Sequence, residues 1–167
     1  MCKAALPHLL KSNNPHILML SPPLAMDPKW FGPHTAYTMS KYGMSMCVLG
    51  LAEEFKDQGV AVNALWPLTV IDTAALQAIT PESKEMASKG RTPEIMADAA
   101  YVIFNQDSRS YRYTNYIYFF SHFVYSGNFA IDEAVLRSQG VLDFMKYSAT
   151  PGNEDLLTGT NTRIKYV

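Results

Sequence analysis

Residues 35–67 read TAYTMSKYGMSMCVLGLAEEFKDQGVAVNALWP: a long helical stretch, a glycine stop, and a short apolar run ended by proline. Thr35 is the expected N-cap, and the helix is expected to run to about Lys56 and to end at Gly59. Spacings of four put Tyr37, Lys41 and Ser45 on one face. Gly43, Cys47 and Gly50 fall on another face, where a neighbouring backbone is expected to approach closely. Residues 60–66 (VAVNALW) then read as a buried strand, stopped by Pro67. Upstream, residues 16–21 (HILMLS) lie between Asn13-Asn14-Pro15 and Pro22-Pro23, which suits a strand buried on both faces.

Strand, helix, strand is the unit that builds parallel sheets, and the flanks extend it. Residues 1–11 have helical composition without a preceding cap and read as the last turns of a helix. Residues 73–79 and 93–105 are expected to be helical, the second with Thr92 as cap, Pro93 at the first position and Glu94 in the first turn. Residues 128–131 (NFAI) give a third short strand after Gly127. The alternation argues for an α/β fold with parallel strands joined by right-handed crossovers. Residues 1–147 are taken as one domain. Within it, 112–125 (RYTNYIYFFSHFVY) read as an aromatic insertion, a sticky loop or extra hairpin. Polar, turn-rich residues 148–167 are expected to form a flexible tail.

Composition narrows the function classes. The chain has 167 residues, 48% of them hydrophobic and 17% charged, as expected of a soluble globular domain. A net charge of -1 supplies no field for collecting phosphate backbones or an anionic membrane surface. Arg109 and Arg112 beside aromatics do not make a nucleic-acid surface without a basic surround. Two cysteines, Cys2 and Cys47, are too few for a disulfide framework and fit a reducing compartment. The N-terminal apolar stretch is interrupted by Pro7, which disfavours secretion, and the most apolar window, 117–124, is far short of a membrane span. His8, His16, His34 and His122 show no ligand spacing, so no metal site is expected. Met39, Met44 and Met46 are read as fillers of core or dimer-interface gaps, with core the favoured place.

Tyr37-x-x-x-Lys41 is the sharpest chemical feature. One helical turn places an ammonium beside a phenol, and a neighbouring cation favours phenolate, lowering a tyrosine pKa from about 10. Such a tyrosine can exchange protons near neutral pH. Ten tyrosines in the chain make the pattern unspecific by itself, and context carries the rest.

HILMLSPP, then AYTMSKYGMSM in a long helix, then VAVNALWP with Thr73 a few residues on, then SGNFAID, resembles the C-terminal half of a short-chain dehydrogenase/reductase. The stretches KWFGPH, RTPEIMADAAY and SGNFAIDEAVL are similar to a hydroxysteroid dehydrogenase-like branch of that superfamily. The resemblance implies a partial Rossmann fold, a doubly wound parallel sheet lacking its N-terminal nucleotide-binding half. It implies an NADP-linked oxidoreductase that moves hydride between a nicotinamide and a carbonyl or alcohol carbon. It makes Tyr37 the proton donor or acceptor, Lys41 its pKa-lowering neighbour and a ligand of the cofactor ribose, and Ile71 and Thr73 the residues meeting the carboxamide. It further implies a lipid-like small-molecule substrate, a peroxisomal or mitochondrial location, and oligomer formation through the helix at 36–56. In that branch a lipid-binding domain of the sterol-carrier type follows, and 148–167 do not provide one.

The sequence departs from the family pattern in three places. Leu24 stands where the substrate-orienting serine is usual; either Ser21, three residues earlier, takes that role, or no serine does and Pro22 stands in the usual serine's place. Leu68 replaces the glycine that usually follows the proline after this strand. The nine glycines form no Gly-rich turn between a strand and a helix, the feature that would hold a pyrophosphate through backbone N–H groups and the helix dipole. The chain is therefore expected to be inactive alone. The alternative is a non-catalytic interaction module that pairs through its long helix with a full-length enzyme.

Overall fold

The computed structural model describes residues 2–32, 34–78, 81–111 and 127–152, so the 112–125 insertion lies outside the described residues. Two compact units are formed, one from Met1–Trp66 with Ile103–Ala130 and the other from Pro67–Val102 with Ile131–Val167.

The first unit carries the strand–helix–strand core. A short helix α1 (Cys2–Leu9) leads to β1 (His16–Met19), α2 (Thr35–Glu54) follows, and β2 (Ala61–Trp66) pairs parallel to β1 with His16 opposite Ala61 and Met19 opposite Ala64. β3 (Phe129–Ile131) lies on the other side of β2, giving the order β1-β2-β3. Gly127 N donates to Val62 O and Ala64 N to Asn128 O, so the bonds advance along both segments in the same sense. The α/β fold with a parallel sheet expected from the sequence is present.

Burial follows position in the sheet. β2 is buried along five of its six residues because it has a neighbour on each side. All four residues of β1 are only half-buried. The expectation of burial on both faces fails there because β1 ends the sheet. Val48, Ala52 and Phe55 from α2 and its C-cap pack on Val60, Val62 and Ala64, with Ile17 and Met19 of β1 closing the cluster.

Helix α2 buries one stripe, Thr38, Tyr42, Ser45, Val48 and Ala52, at spacings of four or three. Its other face is open, with Met39, Met46 and Leu49 exposed, so these methionines do not fill a core. No described atom lies within 4 Å of a Cβ built on Gly43 or Gly50, and the expected close backbone approach is absent. Thr35 is not the cap. It is the first helical residue, and its hydroxyl donates to Phe31 O at 2.7 Å, while His34 occupies the cap position without a side-chain bond. The helix gives way at Phe55 to a 3-10 turn, Lys56–Gln58, and Gly59 ends it with φ 71, a left-handed conformation that glycine adopts without strain.

The second unit contains α3 (Ala74–Gln77), α4 (Pro81–Ser88), most of α5 (Glu94–Phe104) and α6 (Asp132–Ser138), followed by a 3-10 turn at Met145–Tyr147. Arg91 is its hub. Its backbone pairs with Ile71 on one side and Ser148 on the other, and its side chain is 1% exposed. Residues 148–150, read from the sequence as the start of a loose tail, are tied down: Ala149 N donates to Gly90 O, and the Thr150 hydroxyl to Ser88 O. The rest of that segment, 153–167, lies outside the described residues.

Candidate functional site

The buried stripe of α2 holds the chain that leaves β1. Ser45 Oγ donates to Pro22 O at 2.7 Å, Tyr42 Oη to Ala25 O at 2.8 Å, and Thr38 Oγ1 to Trp30 O at 2.7 Å. A loop rich in proline has few N–H groups with which to organise itself, so hydroxyls from the helix take up its carbonyls instead. The ring of Phe31 meets Tyr42 edge-on at 5.3 Å, closing the same loop on the helix.

Lys41 completes this row. Its Nζ donates to Leu20 O at 3.1 Å, which ties the helix to the residue just past β1. From there the ammonium lies 5.8 Å from the centre of the Tyr37 ring and 5.6 Å from that of Trp66 at the end of β2. The ends of both parallel strands, Lys41 and Tyr37 are thus gathered in one unit. In open parallel sheets this is where ligands bind, beyond the carboxyl ends of the strands.

The electrostatics differ from the sequence expectation. Burial pushes the Tyr37 phenol above its ordinary value. The ammonium faces the ring and is bonded to Leu20 O, so the pairing with the phenol oxygen that would stabilise a phenolate is not made. Tyr37 as a whole remains 57% exposed, so its burial is partial.

Ser21 is fully buried, its N–H bonded to Met19 O, and its Oγ has no hydrogen-bond partner among the described residues. A buried hydroxyl without a partner is costly, and a site that supplies one on ligand binding is a common resolution.

Ile71 and Thr73 belong to the second unit. Ile71 is held by the bridge to Arg91. Thr73 caps α3, its Oγ1 accepting from Leu76 N at 3.3 Å, which leaves the hydroxyl proton free to donate outward. Leu68 N donates to Asp132 Oδ1 at 2.9 Å. Asp132, Glu133 and Arg91 escaped the sequence reading. A lone arginine distant in sequence from a pair of acids gives no local signal, and SGNFAIDEAVL was read as a strand end and as part of the family resemblance, with no role for its acids.

Within the first unit Lys41 commits one of its three donors to Leu20 O and keeps two; within the second, the Thr73 hydroxyl keeps its proton to donate. No fit exists for a pyrophosphate among the described residues. The positive-φ glycines, Gly59, Gly127, Gly140 and Gly152, open no helix, and α6, which follows β3 directly, starts with two acids.

No protein-family model matches the chain. Over 151 residues, 90% of its length, it is 50% identical to hydroxysteroid dehydrogenase-like protein 2 of Danio rerio, of which it covers 32%. It is 41% identical to a short chain dehydrogenase of known structure from Mycobacterium thermoresistibile, with a TM-score of 0.70, covering 90% of this chain and 48% of that one. A protein of known structure from Xanthomonas campestris is 43% identical with a TM-score of 0.74, covering 90% and 49%. The chain therefore spans about a third of the curated relative and about half of each solved structure.

Proposed function

We propose, from the resemblance to short-chain dehydrogenases over nine-tenths of the chain, that this sequence carries the proton-transfer side of a hydroxysteroid dehydrogenase-like oxidoreductase acting on a carbonyl or alcohol carbon, with NADP as the cofactor and a lipid-like small molecule as the substrate. The observation that carries the reading is Lys41, bonded to Leu20 O past β1 and lying over Tyr37 and Trp66.

The nicotinamide, when bound, supplies or accepts the hydride. Every other role falls to the chain. In the reducing direction the Tyr37 phenol gives its proton to the carbonyl oxygen as that oxygen gains negative charge, and in the oxidising direction the phenolate takes the proton from the alcohol. A phenol is protonated at neutral pH and the upward shift leaves it so, which suits the reducing direction. Lys41 holds the ribose and, on leaving Leu20 O, stabilises the phenolate. Ser21 Oγ, buried and without a partner among the described residues, donates to the substrate oxygen once the residues covering it move aside. Ile71 and Thr73 meet the carboxamide. The 167 residues alone bind NADPH negligibly, since nothing described holds a pyrophosphate.

A second reading keeps the long helix and drops the catalysis: a module that pairs with a full-length enzyme. The open apolar face of α2 favours it. A chimaera in which this chain replaces the matching part of the Danio rerio relative separates the two. NADPH-dependent turnover by the chimaera supports the oxidoreductase. Tight NADPH binding with no turnover on any carbonyl substrate of the parent enzyme leaves the interaction module.

A further inference from the structure

We propose that Asp132, Glu133 and Arg91 form a positioning cluster for residues 67–73. Its purpose rests on the reading above, which gives that segment the nicotinamide carboxamide, whereas its geometry stands by itself within the second unit.

The segment is held at both ends. Near its start, Leu68 N donates to Asp132 Oδ1, which also accepts from Glu133 N at 2.7 Å. Further on, Arg91 N donates to Val70 O at 2.9 Å and Asp72 N to Arg91 O at 2.8 Å. The approach is close enough to require glycine beside it: a Cβ on Gly90 would lie 2.3 Å from Val70 O. Arg91 is fixed in turn by an ion pair with Glu133 and by stacking of its guanidinium on Phe144 at 5.3 Å. Two consecutive residues at the start of α6 thus hold the two ends of one segment, Asp132 directly and Glu133 through Arg91.

Holding it this way is expensive. Asp132 is fully buried, its Oδ2 has no partner among the described residues, and burial pushes its carboxyl up. Arg91 Nε and Nη1 are also buried without acceptors there. Apolar side chains of similar volume commonly fill such a space at no loss of stability. What apolar residues cannot do is fix a register, and a register is what presents Ile71 and Thr73 at a set height. The three charged residues contact the segment or one another, so each is a positioning residue that acts through the segment.

Residue-resolved amide exchange on the 167-residue chain tests this, with Asp132→Ala, Asp132→Asn and Glu133→Gln. Asp132→Ala is expected to speed exchange of the Leu68 amide by about tenfold or more, and Asp132→Asn, which keeps an acceptor oxygen, to restore it. Glu133→Gln is expected to speed the Asp72 amide, bonded to Arg91 O. The Ala61 and Ala64 amides, bonded to Pro15 O and Asn128 O in the first unit, should keep their rates throughout. A purely structural role would speed all four amides together, and that outcome overturns the proposal, as do unchanged Leu68 and Asp72 rates. If Asp132→Ala does not fold, isosteric Glu133→Gln decides by the same comparison. No nucleotide enters this experiment. Failure of the nicotinamide assignment would show separately, as intact anchoring alongside chimaera turnover that Thr73→Val leaves unchanged.

Discussion

One helical turn separates Tyr37 from Lys41, and the ammonium's place over the ring instead of beside the oxygen has a measurable consequence. Burial raises the phenol's pKa. A folded-state value above the unfolded one of about 10 means that protonated Tyr37 favours the fold, fully below that pH and progressively less as pH rises through the folded value. The ultraviolet difference titration between the wild-type chain and Tyr37→Phe is therefore expected to show a phenol ionising above 10, and one ionising near neutrality would mean that Lys41 already activates it without cofactor. Ser45 is the second residue to test. Its hydroxyl is wholly buried and bonded to Pro22 O, so Ser45→Ala should cost about 1–2 kcal/mol in urea unfolding by stranding that carbonyl. At this scale the sequence disclosed the pair on one helical turn, because spacing is local. It did not disclose which way the ammonium points, since Leu20 O, the competing acceptor, is a backbone atom that any residue would provide.

Helix α2 divides cleanly into a packed stripe and an open face, and its glycines stand on the open one. With nothing within 4 Å of either added Cβ, Gly43→Ala and Gly50→Ala should each stabilise the chain by about 0.5–1 kcal/mol in urea unfolding, the helix-propensity difference. Gly90→Ala should do the reverse, because its Cβ would meet Val70 O. The glycines in the helix were read from the sequence as contact points and prove not to be, whereas Gly90, unremarkable in sequence, is one. The reason is that a helical glycine announces a small surface without saying what lies against it. The strands and the long helix were legible from period and punctuation, whereas Thr73, read as the first residue of a helix over 73–79, is the cap of α3. Helix α6 was not, because it begins on the residue after β3 with no cap or turn to mark it, and its opening acids are explained only by an arginine distant in sequence.

Among the described residues, two surfaces call for partners: β1, which has a described strand on one side only, and the outward face of α2 with Met39, Met46 and Leu49. An unpaired strand edge offers its N–H and C=O groups to any neighbouring chain, and exposed apolar side chains on one helix face favour association. Light scattering of the purified chain is expected to show species larger than a monomer, shifted toward the monomer by Leu49→Lys. A monodisperse wild-type monomer would show that neither surface needs covering. The relatives are dehydrogenases of which this chain spans a part, and the resemblance could be read from four short motifs because residue type and spacing recur in them together and in order.

The central claim is that Tyr37 transfers the proton, and the direct measurement is NADPH-dependent turnover by the Danio rerio chimaera with and without Tyr37→Phe, alongside NADPH affinity by calorimetry. The phenol acts on the substrate oxygen and not on the nucleotide, so the account predicts a loss in kcat of about a hundredfold to ten-thousandfold with NADPH affinity nearly unchanged. Lys41→Met should damage both. A Tyr37→Phe chimaera that keeps wild-type turnover would contradict the account.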